Sequence, residues 1–301
     1  MALGRVEAYA PRASMFGLKS KASVDSEGHR LPGSFGRYYL RELINSGGMA
    51  DLWLATDERH ETCAIRCLRE TTRFDFATRR RFLRGCEILA ATHDHEFIIG
   101  YREHGKIEGS YYLAMEYVEG ANLKLLMAQA DPSLEEFAGN ALIDSAMALE
   151  HVHEKGYMHL DFKPENIVVT RNGSVRLIDF DLARPRPEFP EKLGATPGTP
   201  AYMAPEQLLR EPVDHRADIF AFGATAFELL TFRKPFPGDT PDEILGRQLD
   251  RTSDFYAPRE LNPDLPLAVE RIVLKCLERE PEKRYPFMSV VVRDLQAALY
   301  V

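Results

Sequence analysis

His159-Leu-Asp161-Phe-Lys163-Pro-Glu-Asn166 places an acid, a base and an amide within eight residues. Asp179 follows thirteen residues after Asn166, in Leu177-Ile-Asp-Phe-Asp181. Two apolar runs lie between them, Ile167-Val-Val-Thr170 and Val175-Arg-Leu-Ile178, joined by Arg171-Asn-Gly-Ser174. Asn-Gly between apolar runs is a hairpin turn signal. The hairpin returns Asp179 to the side of Asn166. An amide and a carboxylate oxygen gathered in this way suit Mg²⁺, which takes few protein ligands and fills its shell with phosphates and water.

Further motifs follow in order along the chain. Gly198-Thr-Pro-Ala-Tyr-Met-Ala-Pro-Glu206, Asp218-Ile-Phe-Ala-Phe-Gly223 and Pro281-Glu-Lys-Arg284 stand downstream of the acidic loop. With the opening stretch, they make the chain from about Arg37 to Val301 resemble the bacterial Ser/Thr protein kinases of the eukaryotic-like type. The resemblance implies an α+β, two-lobed fold. A small β-rich N-lobe with one main helix would cover about residues 37–116, and a larger helical C-lobe about 120–301. It also implies roles. Asp161 would orient the acceptor hydroxyl, Lys163 would bring positive charge to the transferred phosphoryl group, and Thr199 would support Asp161. Asn166 and Asp179 would hold Mg²⁺. ATP would lie against Ile44, Gly47, Gly48, Leu52, Ala64, Arg66, the gatekeeper Met115, Glu116 and, in the hinge over residues 117–122, Val118. Asp218 would brace the catalytic loop, and Glu206 and Arg284 would form a buried ion pair.

The first half departs from that pattern. Ile44-Asn-Ser-Gly-Gly-Met-Ala-Asp-Leu52 stands where the family has G-x-G-x-x-G-x-V, so Asn45 and Ala50 replace the outer glycines. Cys63-Ala-Ile-Arg66 stands where the family has V-A-I-K, so the phosphate-anchoring Lys is Arg66. A compact ammonium is thereby exchanged for a wide planar fork. No Lys occurs between Lys21 and Lys106 to substitute for it. Counting back from His95-Glu-Phe-Ile98, the helix position that usually supplies the partner Glu is Cys86, or Gly85 in an alternative register. Glu87 is the nearest carboxylate, about 100–200° round a helix. Arg66 is expected either to lose its pair or to find Glu87 or Asp179 in a rebuilt site. Asp181 replaces a Gly and is read as a loop residue, with metal binding as the alternative. Leu160 replaces the Arg that receives an activation-loop phosphate, and residues 180–195 contain no Ser, Thr or Tyr. Both features predict control without such a phosphate.

Strand patterning is expected over residues 38–44, 51–55, 62–68 and 111–116, with Ala64 and Arg66 on one face by the period of two. Helices are expected over 76–91, 134–155, 217–231, 267–279 and 288–299. Residues 1–36 show no periodicity and are read as a flexible leader without a secretory signal. No run of 18 apolar residues exists, so no membrane span is expected. Net charge is −8 and uneven: residues 1–110 carry 17 basic against 15 acidic side chains, and the remainder 21 against 31. An acidic large lobe disfavours nucleic acid and would suit a basic protein segment, although it also serves solubility. The four cysteines form no framework; Cys63 and Cys67 read as core thiols of a reducing, cytoplasmic compartment. His151, His153 and His159 lack a second ligand cluster and read as packing residues.

Two functions stay open at this level. One is a pseudokinase or strongly impaired kinase that acts by binding a protein partner. The other is an active, atypical Ser/Thr kinase transferring the ATP γ-phosphate to protein hydroxyls. Transfer to a small molecule is a minor third.

Overall fold

The computed structural model describes residues 29–69, 75–194, 198–250 and 255–299. The first part of the chain builds a six-stranded antiparallel sheet. Its strands are β1 (Gly33–Phe35), β2 (Tyr38–Ser46), β3 (Ala50–Thr56), β4 (Thr62–Leu68), β5 (Tyr101–Ile107) and β6 (Ser110–Met115), in the order β1-β2-β3-β4-β6-β5. Alternation gives the sheet two faces. Phe35, Tyr38, Trp53, Cys63, Ile65 and Cys67 form a small cluster on one of them. Ala50, Ala64, Leu68, Leu113 and Met115 enter the main core on the other.

Helix α1 (Phe76–Thr92) covers that second face. It starts where Asp75 accepts the N–H groups of Ala77 and Thr78, satisfying two donors that a helix end leaves unpaired. Its buried side carries Phe82, Cys86 and Leu89. The stretch after α1 joins the two parts of the molecule. Leu177 donates to the Phe97 carbonyl at 2.8 Å, and Ile99 donates to the Leu177 carbonyl at 3.1 Å.

The rest is mainly helical. After β7 (Gly120–Asn122), α2 (Leu123–Ala128) and α3 (Ser133–Glu154) come β8 (Tyr157–Met158), β9 (Ile167–Thr170) and β10 (Val175–Leu177). Then follow β11 (Arg184–Pro185), β12 (Glu191–Lys192), α4 (Pro205–Leu208), β13 (Pro212–Val213) and α5 (Arg216–Thr231). Helices α6 (Pro241–Leu249), α7 (Pro258–Leu261), α8 (Leu267–Cys276) and α9 (Met288–Leu299) complete the chain. Helix α5 is buried nearly all round, as a central helix must be, and every residue from Ala217 to Leu229 is buried.

Several observed elements stand outside the expected ones, among them β1, β5, α2 and α6. Strand β1 lies within the stretch read as leader, and Arg30 is buried, bonded to Glu108 and Ser110 at 3.0 Å. The described fold therefore begins before residue 37; residues 1–28 lie outside the described set. Strand β5, Tyr-Arg-Glu-His-Gly-Lys-Ile, was not anticipated because its edge position asks for no apolar alternation. Among the described residues, no helix is long and apolar enough to cross a membrane.

Candidate active site

The hairpin β9–β10 positions the acidic loop as its sequence dictates. Val169 faces Val175 and Ile167 faces Leu177, and the turn closes through Gly173, whose φ of 82° suits its lack of a Cβ. Ile178 then donates to the Asn166 carbonyl at 2.9 Å, which seats Asp179 next to Asn166 along the chain's return. Asp179 itself takes a φ of 62°, and Leu160 a φ of 61°. Non-glycine residues rarely adopt this region, and such strain gathers where the surroundings overdetermine the backbone.

Asp218, at the start of α5, supplies that constraint. Its fully buried carboxylate accepts from His159 N at 2.8 Å, Leu160 N at 2.7 Å and His153 Nε2 at 2.9 Å. Burial pushes this carboxyl up, but the His153 contact and the loop N–H groups outweigh it and hold it below the usual range. Burial also lowers His159, whose Nε2 lies 3.3 Å from the Ile178 carbonyl. His151 contacts Asp94 at 3.0 Å. All three histidines are thus engaged in packing and loop support.

On this base the loop's working groups converge. Lys163 Nζ donates to both Asp161 oxygens at 2.9 Å and to Thr199 Oγ1 at 3.1 Å. Asn166 Nδ2 donates to the Asp161 carbonyl at 2.8 Å and to Asp161 Oδ2 at 2.9 Å. Donation through nitrogen leaves the Asn166 amide oxygen as an acceptor. That oxygen and the Asp179 carboxylate are hard donors of the kind Mg²⁺ takes, and they would be the residues to hold it. Leu160 is buried in the core, so this loop carries no cation at that position.

The face expected to meet a nucleotide follows strand register. Leu52 pairs with Arg66 and Arg66 with Leu113; Leu54 pairs with Ala64 and Ala64 with Met115. Leu52, Ala64, Arg66 and Met115 therefore share one face. Val118 packs against the same core. Ile44 is exposed on β2, and Gly47 N closes the β2–β3 turn on the Ala50 carbonyl at 3.0 Å, beside Gly48. Glu116 Oε1 accepts from Gly100 N at 3.0 Å and from Arg176 Nε at 3.1 Å. Its main-chain N–H donates to the Gly100 carbonyl at 2.8 Å. Apolar side chains on one sheet face, beside a cation and oxygen-bearing side chains, are the groups that a nucleotide with its metal would need.

Arg66 differs most from expectation. Its Nη1 and Nη2 reach Asp181 Oδ1 at 3.0 Å and Oδ2 at 2.5 Å, and Nη1 also reaches Asp179 Oδ1 at 3.3 Å. Glu87 is exposed and takes no part, so the alternative pairing with Glu87 is corrected. The reading of Asp181 as a mere loop residue is corrected too: it is the bidentate partner of Arg66. Burial opposes the guanidinium charge, but the two carboxylates overcome it. The carboxylates in turn split. Burial raises both, yet Arg66 and the Asp181 N–H bring Asp179 below the usual range, while Asp181 stays above it with Asp179 repelling it. Sequence alone gave no distance between positions 66 and 181. The one available signal was a Gly exchanged for an acid in the same chain that exchanged Lys for Arg.

Comparison with known proteins points one way. The family model for the protein kinase domain matches residues 38–295. A probable serine/threonine-protein kinase of Streptomyces coelicolor is 34% identical over 272 residues, 88% of this chain and 40% of that protein. Serine/threonine-protein kinase PknB of Mycolicibacterium smegmatis is 32% identical over 267 residues, 86% of this chain and 42% of its own length. Serine/threonine-protein kinase PrkC of Bacillus subtilis is 32% identical over 269 residues, 87% and 40% respectively. The chain thus spans about two fifths of the length of the curated relatives it matches.

Proposed function

Because this chain belongs to the protein kinase family, we propose that it is a Ser/Thr-kinase-like protein with strongly impaired phosphotransfer. It works through a protein partner and holds Mg²⁺ and ATP weakly. The engagement of Arg66 by Asp181 and Asp179 carries this reading. The cation due to face the inner phosphates is already neutralised by two acids, and its planar fork cannot be centred on them as an ammonium can. A misplaced phosphate anchor removes about 3–5 kcal/mol of transition-state stabilisation, or roughly 10²–10⁴ in rate. Asn166 and Asp179 would hold the metal, which supplies charge neutralisation on the phosphates when bound. Asp161 would orient a hydroxyl, with Lys163 and Thr199 fixing its carboxylate.

A second reading, an active atypical kinase, draws on the assembled group of Asp161, Lys163, Asn166 and Thr199. Assay of transfer to a generic basic protein separates the two. The first reading expects a trace rate in the parent, a gain of at least tenfold in Arg66→Lys, and none in Asp161→Asn. A brisk parent rate that Asp161→Asn abolishes and Arg66→Lys does not raise would establish the second. Nucleotide affinity is expected to be weak and improved by Mg²⁺; tight binding indifferent to metal contradicts both.

A further inference from the structure

We propose that Asp181 is the positioning residue of the cleft: its carboxylate, in place of one on helix α1, holds the Arg66 guanidinium at the nucleotide face of β4 and leaves Asp179 available to metal. The inference rests on the reading of this cleft as a nucleotide site. Four observations support it.

The bonding is asymmetric. Asp181 takes both Nη groups, at 3.0 and 2.5 Å, whereas Asp179 makes one contact at 3.3 Å. A bidentate fork fixes direction as well as distance. Burial is also asymmetric: the Asp181 side chain is 9% exposed and that of Asp179 32%. The enclosed carboxylate serves the guanidinium, and the more open one remains accessible to a cation.

Helix α1 offers no competitor. Cys86 is buried near Arg66, and burial pushes its thiol up to about 12, so it stays neutral. The helix also makes room for the substitute. A Cβ on Gly85 would stand 2.9 Å from the Phe180 carbonyl oxygen and 3.0 Å from Asp181 Cα, both backbone atoms. The absence of a side chain there lets the turn press against the helix. Arg84 fastens it, donating from Nε to the Ala183 carbonyl at 2.9 Å and from Nη2 to the Asp181 carbonyl at 3.4 Å. Arg66, Gly85, Cys86 and Asp181 are one rearrangement. The carboxylate that anchors the cation stands on the turn that carries Asp179 and not on the helix.

The test uses the whole chain and reads Mg·ATP affinity by calorimetry. By charge alone, Asp181→Asn removes a negative group beside an anionic ligand and would tighten binding. Positioning predicts the opposite sign, a loss of at least tenfold. Adding Cys86→Glu to Asp181→Asn returns a carboxylate to the helix and is expected to recover threefold or more. Unchanged or tighter binding in Asp181→Asn overturns the proposal, as does a parent that binds no Mg·ATP at millimolar concentration. A ligand-free readout covers variants that fold poorly. In urea, the double-mutant cycle of Arg66→Met and Asp181→Asn is expected to be non-additive, and additivity refutes the pair. Fast phosphotransfer by the parent would overturn the impaired-kinase reading while leaving this inference intact. Loss of the affinity effect would do the reverse.

Discussion

Arg284 is a buried charge held in place by full pairing. Its side chain has no exposure at all and meets Glu206 through two bonds of 2.7 and 2.8 Å. Three main-chain carbonyls, of Arg216, Glu278 and Arg279, take its remaining N–H groups. Such a pair need not stabilise relative to an apolar substitute, but removing one member strands the other's charge. Glu206→Gln is therefore expected to lower unfolding free energy by about 3 kcal/mol, measured in urea. A loss below about 1 kcal/mol would mean that the carbonyls alone suffice. This pair was legible from its two motifs, since each residue stands at a fixed place in a recognisable string. The Arg66–Asp181 pair was not, because neither residue keeps the family's identity at its position. Motif matching names partners only where both ends are conventional; where both have changed, three-dimensional distance is required.

Elements were read unevenly, for a physical reason. The β9–β10 hairpin carries a turn signal and α1 and α9 an apolar periodicity, and their positions follow from these, whereas α5, buried nearly all round, shows instead a long apolar run. Strands β1, β5 and β7 are short or at sheet edges, where burial imposes no pattern. One interior position of α3 also escapes pattern reading. Asp144 lies against β10, where burial pushes its carboxyl up to about 6 against the opposing pull of the Val175 N–H. A carboxyl raised in the fold stabilises it below the unfolded pKa of 3.8, and that contribution is lost as pH rises through about 6. Asp144→Asn keeps the acceptor and removes the ionisation. It is expected to raise stability at pH 7 by about 1 kcal/mol, after discounting for partial exposure, with no gain at pH 4. Thermal scans at both pH values check this; an equal shift at both would assign the effect to packing. The activation segment gives another expectation. With Leu160 buried and no hydroxyl between residues 180 and 195, phosphatase treatment should leave nucleotide affinity and any transfer rate unchanged. A change of more than twofold would place a controlling phosphate elsewhere in the chain.

At the scale of the whole molecule, the question is whether the sheet and the helical part melt as one body. Two-part proteins commonly unfold in steps. Here one buried cluster runs from Ala64 and Met115 on the sheet, through Phe82 and Leu89 of α1, to Val152, Leu177 and Phe222 beyond. Main-chain bonds between residues 97–99 and Leu177 add a second tie that no side-chain substitution can remove. Against this stands the small cluster on the opposite face of the sheet, which touches none of the helical part's core and holds Trp53, the chain's single tryptophan. Tryptophan emission therefore reports the sheet alone, while helical circular dichroism is dominated by α3, α5, α8 and α9. Shared burial on the inner face outweighs the separate outer cluster, because losing the sheet would bare the main core along α1. We therefore expect the two signals to fall together in urea with one midpoint. Saturating Mg·ATP should move both midpoints upward equally, since a ligand that binds only the folded state stabilises everything that unfolds with its site. An earlier transition in tryptophan emission would separate the sheet as its own unit and confine any nucleotide effect to that first step.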